Sequence, residues 1–137
     1  QTNKVREAVN LFDVIETLDR PKLAQALAKE RDRVGRCPEV FIQINTGQEP
    51  QKSGIDPLMA DKFIEKVREE FRLPLTGLMC IPPITQDSTF HFIKLKKLSD
   101  ELKLPFTSMG MTNDYEKAIN CGATHIRVGS AIFGKRQ

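Results

Sequence analysis

Apolar residues along this chain recur with two alternating periods, short β-branched runs and longer stretches spaced three or four apart, and this alternation restricts the fold more than any single motif. Residues 12–17 read as a strand, followed by a helix with Asp19 as N-cap, Pro21 in its first turn, and Leu23, Leu27 and Val34 on one face. Residues 40–45 form the next strand. Asp56-Pro57 then opens a helix on which Met59, Phe63, Val67 and Phe71 fall four apart, with charged residues between them. Strands follow at residues 75–79 and 106–109, with helices over residues 88–102 and through Tyr115, Ala118 and Ile119 to the neighbourhood of Gly122. A last strand carries Arg127. Strands separated by helical crossovers run parallel, so the class is α/β, either a layered sheet or a barrel. Residues 1–9 read as a helix that in this alternation should follow a strand not seen in this chain. The expected fold is therefore a (β/α)8 TIM barrel, with about five of its eight βα units in this chain and three preceding it. Residues 1–137 are expected to be one domain, the carboxyl-terminal portion of that barrel.

Composition excludes several functions. The formal charge of +3 is small and scattered, which argues against a nucleic-acid partner. There is no run of about 18 apolar residues, and the opening Gln1-Thr2-Asn3-Lys4 is neither a methionine start nor a signal peptide. The expected location is the cytoplasm, away from membranes, in a chain that begins within a longer protein. Cys37, Cys80 and Cys121 are odd in number and far apart, which favours reduced thiols and supplies no C-x-x-C metal spacing. His91 and His125 are too few for a histidine metal site or a pair of imidazole bases, and no metal is expected.

In a barrel of this class, chemistry collects at the carboxyl ends of the strands. Asn45, Met79-Cys80-Ile81-Pro82, Ser108-Met109-Gly110-Met111-Thr112 and Arg127-Val128-Gly129-Ser130 fall there. The last of these reads as a strand, with Ile126 and Val128 on one face and Arg127 on the other, running into a turn whose backbone N–H groups are free to bind an anion. At the preceding strand end Gly110 permits close backbone approach, and Thr112 or Asn113 is expected to N-cap the next helix. Met109 and Met111 are assigned to packing, and Lys52 to a solvated loop. No Ser/His/Asp or Cys/His arrangement is legible.

Five ordered motifs resemble those of the pyridoxal-phosphate homeostasis protein family, single-domain relatives of the alanine racemase barrel. They are Gln1-Thr2-Asn3-Lys4; Gln43-Ile44-Asn45-Thr46 with Lys52-Ser53-Gly54; Gly77-Leu78-Met79-Cys80-Ile81-Pro82; Ser108-Met109-Gly110-Met111-Thr112-Asn113-Asp114-Tyr115-Glu116; and Arg127-Val128-Gly129-Ser130-Ala131-Ile132-Phe133-Gly134. Thr2 stands where the family usually has Ser, Thr112-Asn113 where it has Ser-Ala, and Tyr115 where it has Phe. Each keeps the hydroxyl, capping or aromatic character.

The resemblance implies a barrel of the alanine-racemase-like type with pyridoxal 5′-phosphate as cofactor. Ser108, Gly110 and Thr112 on one loop, with Gly129 and Ser130 on the next, would bind its phosphate through N–H and hydroxyl donors. Arg127 would meet the pyridine nitrogen, and Asn45 would line the ring's side of the pocket. The family's Schiff-base lysine lies on the first strand of the barrel, so no residue of this chain is assigned that catalytic role. The implied function is a monomeric carrier that stores the cofactor or delivers it to apoenzymes, without turnover of its own. The alternative is a fold-type III enzyme such as an amino-acid racemase. Racemases and decarboxylases append a β-domain that supplies a second acid–base group, and a chain ending at Gln137 leaves that group no place. A phosphate-binding barrel enzyme without pyridoxal phosphate would account for Gly129-Ser130 but not for Arg127 and the other four motifs.

Overall fold

Five strands, β1 (Val14–Leu18), β2 (Glu39–Ile44), β3 (Leu75–Cys80), β4 (Phe106–Met111) and β5 (His125–Arg127), form one parallel sheet in sequential order in a computed structural model that describes residues 1–134. The residues up to Gln137, on which the expectation about the chain's end turned, lie outside the described residues. The helices are α1 (Val5–Leu11), α2 (Pro21–Val34), α3 (Ala60–Glu65), α4 (Ser88–Glu101), α5 (Tyr115–Asn120) and α6 (Ser130–Phe133). Right-handed crossovers taken in unbroken sequential order put every connecting helix on one face of the sheet. A doubly wound sheet needs the order to reverse, and here it does not.

The helix-covered face holds the main core. Leu18, Val40, Ile42, Leu78, Cys80 and Met109 point toward it and meet Leu23 and Leu27 of α2, Phe63 of α3 and Phe92 and Leu95 of α4. Phe41 and Met79 are also buried but stand outside this cluster, on the opposite face. There the Phe41 ring stacks on Phe106 at 6.0 Å, and His125 lies edge-on to both at 5.3 and 5.4 Å. Gly77 makes room for this group, since a Cβ there would stand 2.9 Å from the Phe41 ring.

The sheet is strongly curved. Three strand spacings would hold β1 and β4 roughly 14 Å apart in a flat sheet. Across that interval the Glu16 carboxylate nevertheless accepts a hydrogen bond from the Ser108 hydroxyl at 2.6 Å. The described residues thus form a five-stranded parallel half-barrel with Glu16, Ser108 and Arg127 on its concave face.

Three local expectations are corrected. Asp19 does not cap α2; because Pro21 takes the first helical position, Arg20 is the N-cap, held extended at φ −158° and ψ 151°. Asp19 instead pairs with Arg20 at 2.6 Å and accepts from the Gly54 N–H at 3.1 Å. Met59 is 51% exposed rather than part of the buried face of its helix. The helix enters through a tight 3₁₀ turn over Pro57–Met59 and leaves through a wide π turn over Lys66–Glu70, so a uniform four-residue spacing drifts off the core. Asp56 does cap the entry, accepting from the Leu58 N–H at 2.8 Å. Finally, neither Thr112 nor Asn113 caps α5; its N-cap is Asp114. β4 runs two residues further than its apolar pattern suggests, because an extra residue is accommodated in it between Ser108 and Met111.

Candidate functional site

Gly110 carries that bulge with φ +94°, and a Cβ on it would lie 2.5 Å from the Ala118 Cβ and 3.0 Å from the Tyr115 Cα of α5. Its close approach is therefore to a helix. The bulge turns the end of β4 so that Asp114 Oδ1 accepts from the Met111 N–H at 2.7 Å. This frees the Thr112 hydroxyl from capping. It lies 3.1 Å from the Ser130 hydroxyl and 3.4 Å from the Ala131 N–H, both at the start of α6. Gly129 precedes that turn with no atom within 4 Å of where a Cβ would stand. Two hydroxyls, an open backbone and the first N–H groups of a helical turn face one small region at the carboxyl ends of β4 and β5, a donor set suited to an anion.

Ser108 belongs to a different group. Its hydroxyl donates to Glu16 at 2.6 Å and accepts from Arg127 Nη1 at 2.6 Å. Arg127 Nη2 donates to the Cys80 carbonyl at 2.9 Å, and its Nη1 stands 4.0 Å from the Glu16 carboxylate. The guanidinium is thus held across the concave face by β1, β3 and β4. Burial pulls its pKa down and the nearby Glu16 charge opposes that pull. Among the described residues, three of its five N–H donors have no partner.

Asn45 is engaged with its own loop: its Nδ2 donates to the Glu49 carbonyl at 2.8 Å, and its Oδ1 accepts from the Glu49 N–H at 3.2 Å. This clasp shapes the loop that carries Lys52, which is exposed. A cavity of about 370 Å³ opens between that loop and the ends of β3 and β4, lined by Gln43, Glu49, Lys52, Ile81 and Met111 among others. Its size is that of a small-molecule site.

Cys80 sits below Arg127 with no exposed surface, and burial pushes its thiol up to about 12, against the pull of the guanidinium. The thiol therefore stays protonated at pH 8. Iodoacetamide is expected to label Cys37 and Cys121, both partly exposed, well before Cys80. Peptide mass analysis over a time course checks the order, and simultaneous labelling of Cys80 in folded protein would contradict the buried, neutral thiol. No group of His, Cys, Asp and Glu able to hold a metal ion occurs among the described residues.

Glu16 is the residue that sequence reasoning missed. The signal was present: it is the one acid within a strand whose neighbours Val14, Ile15 and Leu18 are apolar. Only the curvature of the sheet shows what it faces.

A parallel sheet in sequential order, with its helices on one face and a donor set at its strand ends, has the layout of part of an α/β barrel. Residues 1–137 match the family described as the alanine racemase N-terminal domain. A pyridoxal phosphate homeostasis protein of Aquifex aeolicus is 37% identical over all of this chain, which spans 64% of that relative's length. The PipY protein of Synechococcus elongatus, solved with pyridoxal phosphate bound, superimposes with a TM-score of 0.85 at 31% identity, over 98% of this chain and 66% of PipY. Alanine racemase from Corynebacterium glutamicum, 18% identical over 96% of this chain and 38% of its own, shares the fold with a TM-score of 0.69. The chain belongs to the alanine racemase N-terminal domain family, and the curated relatives it matches are pyridoxal phosphate homeostasis proteins.

Proposed function

We propose that these five βα units are the carboxyl-terminal part of an eight-stranded barrel that binds pyridoxal 5′-phosphate and stores or delivers it in the cytoplasm as a monomer, without turnover. The relatives' length supports the larger barrel. So does the edge of β1, where a mostly apolar cavity of about 290 Å³, lined by Val5, Phe12, Val14 and Ile15 with Lys4 and Glu16 as its charged members, suits a further βα unit.

The observation that carries the reading is the separation of two donor groups at the strand ends. The hydroxyls of Thr112 and Ser130, 3.1 Å apart, with the N–H groups of Gly129 and Ser130, fit a phosphate. Arg127 fits the acceptor nitrogen of an aromatic ring. The cofactor, when bound, supplies an electrophilic aldehyde and a ring that can accept electrons. Around it this chain's residues bind and orient. Gly110 sets the height of the Thr112 turn by letting β4 close on α5. Asn45 keeps the facing loop closed over the ring's side. Arg127 is a permanent cation and donates only, so it disfavours a proton on the ring nitrogen and keeps the ring a weak electron sink. Such a site holds the cofactor without driving its chemistry. Ser108, with both hydroxyl roles taken by Glu16 and Arg127, serves the ring end of the site through Arg127. Apoenzymes are the proposed recipients of the delivered cofactor.

Full-length protein loaded with pyridoxal phosphate is expected to show no racemase, transaminase or decarboxylase turnover on common amino acids. Stopped assays with chiral detection decide between carrier and enzyme. Sustained turnover that scales with protein concentration would establish the racemase-like alternative.

A further inference from the structure

Arg127 is fixed to the wall of the barrel at two points, the Cys80 carbonyl and the Ser108 hydroxyl. The first is backbone and cannot turn. The second is a rotor in a fully buried residue, and its oxygen is already used in accepting from Arg127. Its own hydrogen must therefore find an acceptor, since a buried hydroxyl left unsatisfied is unfavourable. The Glu16 carboxylate is that acceptor, at 2.6 Å, and it stands 4.0 Å from the guanidinium itself. Both side chains are only about a quarter exposed, 22% for Glu16 and 25% for Arg127, so the two charges balance where water screens them weakly. Glu16 lies on β1 and Arg127 on β5, the two edges of the sheet, so the contact exists only because the sheet is curled.

We infer that Glu16 is a positioning residue for Arg127: through the Ser108 hydroxyl it fixes the orientation of the guanidinium, and with it the recognition of a ligand's aromatic ring nitrogen. The inference rests on the reading of this site as one for pyridoxal phosphate. Glu16 touches the anion-binding loops nowhere among its described bonds, so its influence is confined to the ring end. Removing it leaves the Ser108 hydrogen free to turn toward the guanidinium's place, and Arg127 then keeps one anchor in place of two.

The test compares three ligands in the full-length protein: pyridoxal phosphate, its deaza analogue in which the ring nitrogen is replaced by C–H, and inorganic phosphate. Glu16→Leu is expected to weaken pyridoxal phosphate by about tenfold, as for loss of a hydrogen bond to a charged group, and to leave the deaza analogue and phosphate within about twofold. Glu16→Gln keeps an acceptor for Ser108 and should recover most of the lost affinity. In an Arg127→Leu background, Glu16→Leu should change pyridoxal phosphate affinity no further, because a residue that acts through another has no effect once that other is gone. Equal losses for all three ligands, full additivity with Arg127→Leu, or unchanged affinity in Glu16→Leu would each overturn the inference while leaving the carrier reading intact. Failure of the unsubstituted full-length protein to bind pyridoxal phosphate would overturn both. If Glu16→Leu does not fold, Glu16→Gln decides on its own: an affinity loss as large for the deaza analogue as for pyridoxal phosphate contradicts the assignment, and a smaller loss confined to pyridoxal phosphate supports it.

Discussion

Arg127→Leu is expected to lower pyridoxal phosphate affinity of the full-length protein by about tenfold or more and to leave inorganic phosphate binding nearly unchanged. A charge-assisted hydrogen bond to a ring nitrogen contributes roughly 1.5–3 kcal/mol, which is the source of that factor. Phosphate is expected to be spared because its proposed donors are Thr112, Gly129 and Ser130, none of which Arg127 touches among its described bonds. The substitution also removes a partner from buried Ser108 and from Glu16, so a stability loss of about 1–3 kcal/mol should accompany it. A side chain that merely solvated a strand end would change stability by less than about 0.5 kcal/mol. Isothermal titration with both ligands, together with urea unfolding of the variant, separates the two cases. Unaltered pyridoxal phosphate affinity in a folded variant would remove Arg127 from the site.

A larger effect on stability is expected at Gly110. In Gly110→Ala the new methyl meets the Ala118 Cβ at 2.5 Å in a backbone conformation, φ +94°, that L side chains rarely adopt. Strain at such a position contributes about 1–3 kcal/mol, and overpacking against a helix adds a similar amount, so the variant should lose roughly 3 kcal/mol or more. Relief would require α5 to move outward from β4, carrying Asp114 and the Thr112 turn with it. Phosphate affinity should therefore fall along with stability. Urea unfolding checks the first and titration of phosphate the second. A Gly110→Ala protein as stable as the parent would contradict the close approach of β4 to α5 at this position.

The order of the elements was legible because each strand is a short β-branched run and each long helix carries a periodic apolar face. The β2 run around Val40, Ile42 and Ile44 and the Leu23–Leu27 face of α2 lie where those patterns put them. Boundaries failed where local backbone chemistry overrode periodicity. Pro21 moved a cap by one residue, a bulge lengthened β4, and the 3₁₀ turn over Pro57–Met59 left Met59 outside the core. At the site, the strand-end glycines and hydroxyls were visible as residues, and so was the alternation that turns Arg127 away from Ile126. The division of Ser108 from Thr112 was not visible. Both sit in one motif, and only the bulge at Gly110 sends Ser108 to the concave face and Thr112 to Ser130. Glu16 was invisible for a further reason: its partners are 92 residues away in sequence at Ser108, and no periodicity records a contact made by curvature.

The central claim is that the ends of β4 and β5 grip a phosphate while Arg127 meets a ring. A crystal structure of the full-length protein with pyridoxal phosphate tests it most directly. The phosphate oxygens should lie within about 3.2 Å of the Gly129 N–H and the hydroxyls of Thr112 and Ser130, with the ring nitrogen at the same distance from Arg127. Phosphate density only at remote lysines, with the Thr112 and Ser130 loops turned apart, would contradict the account.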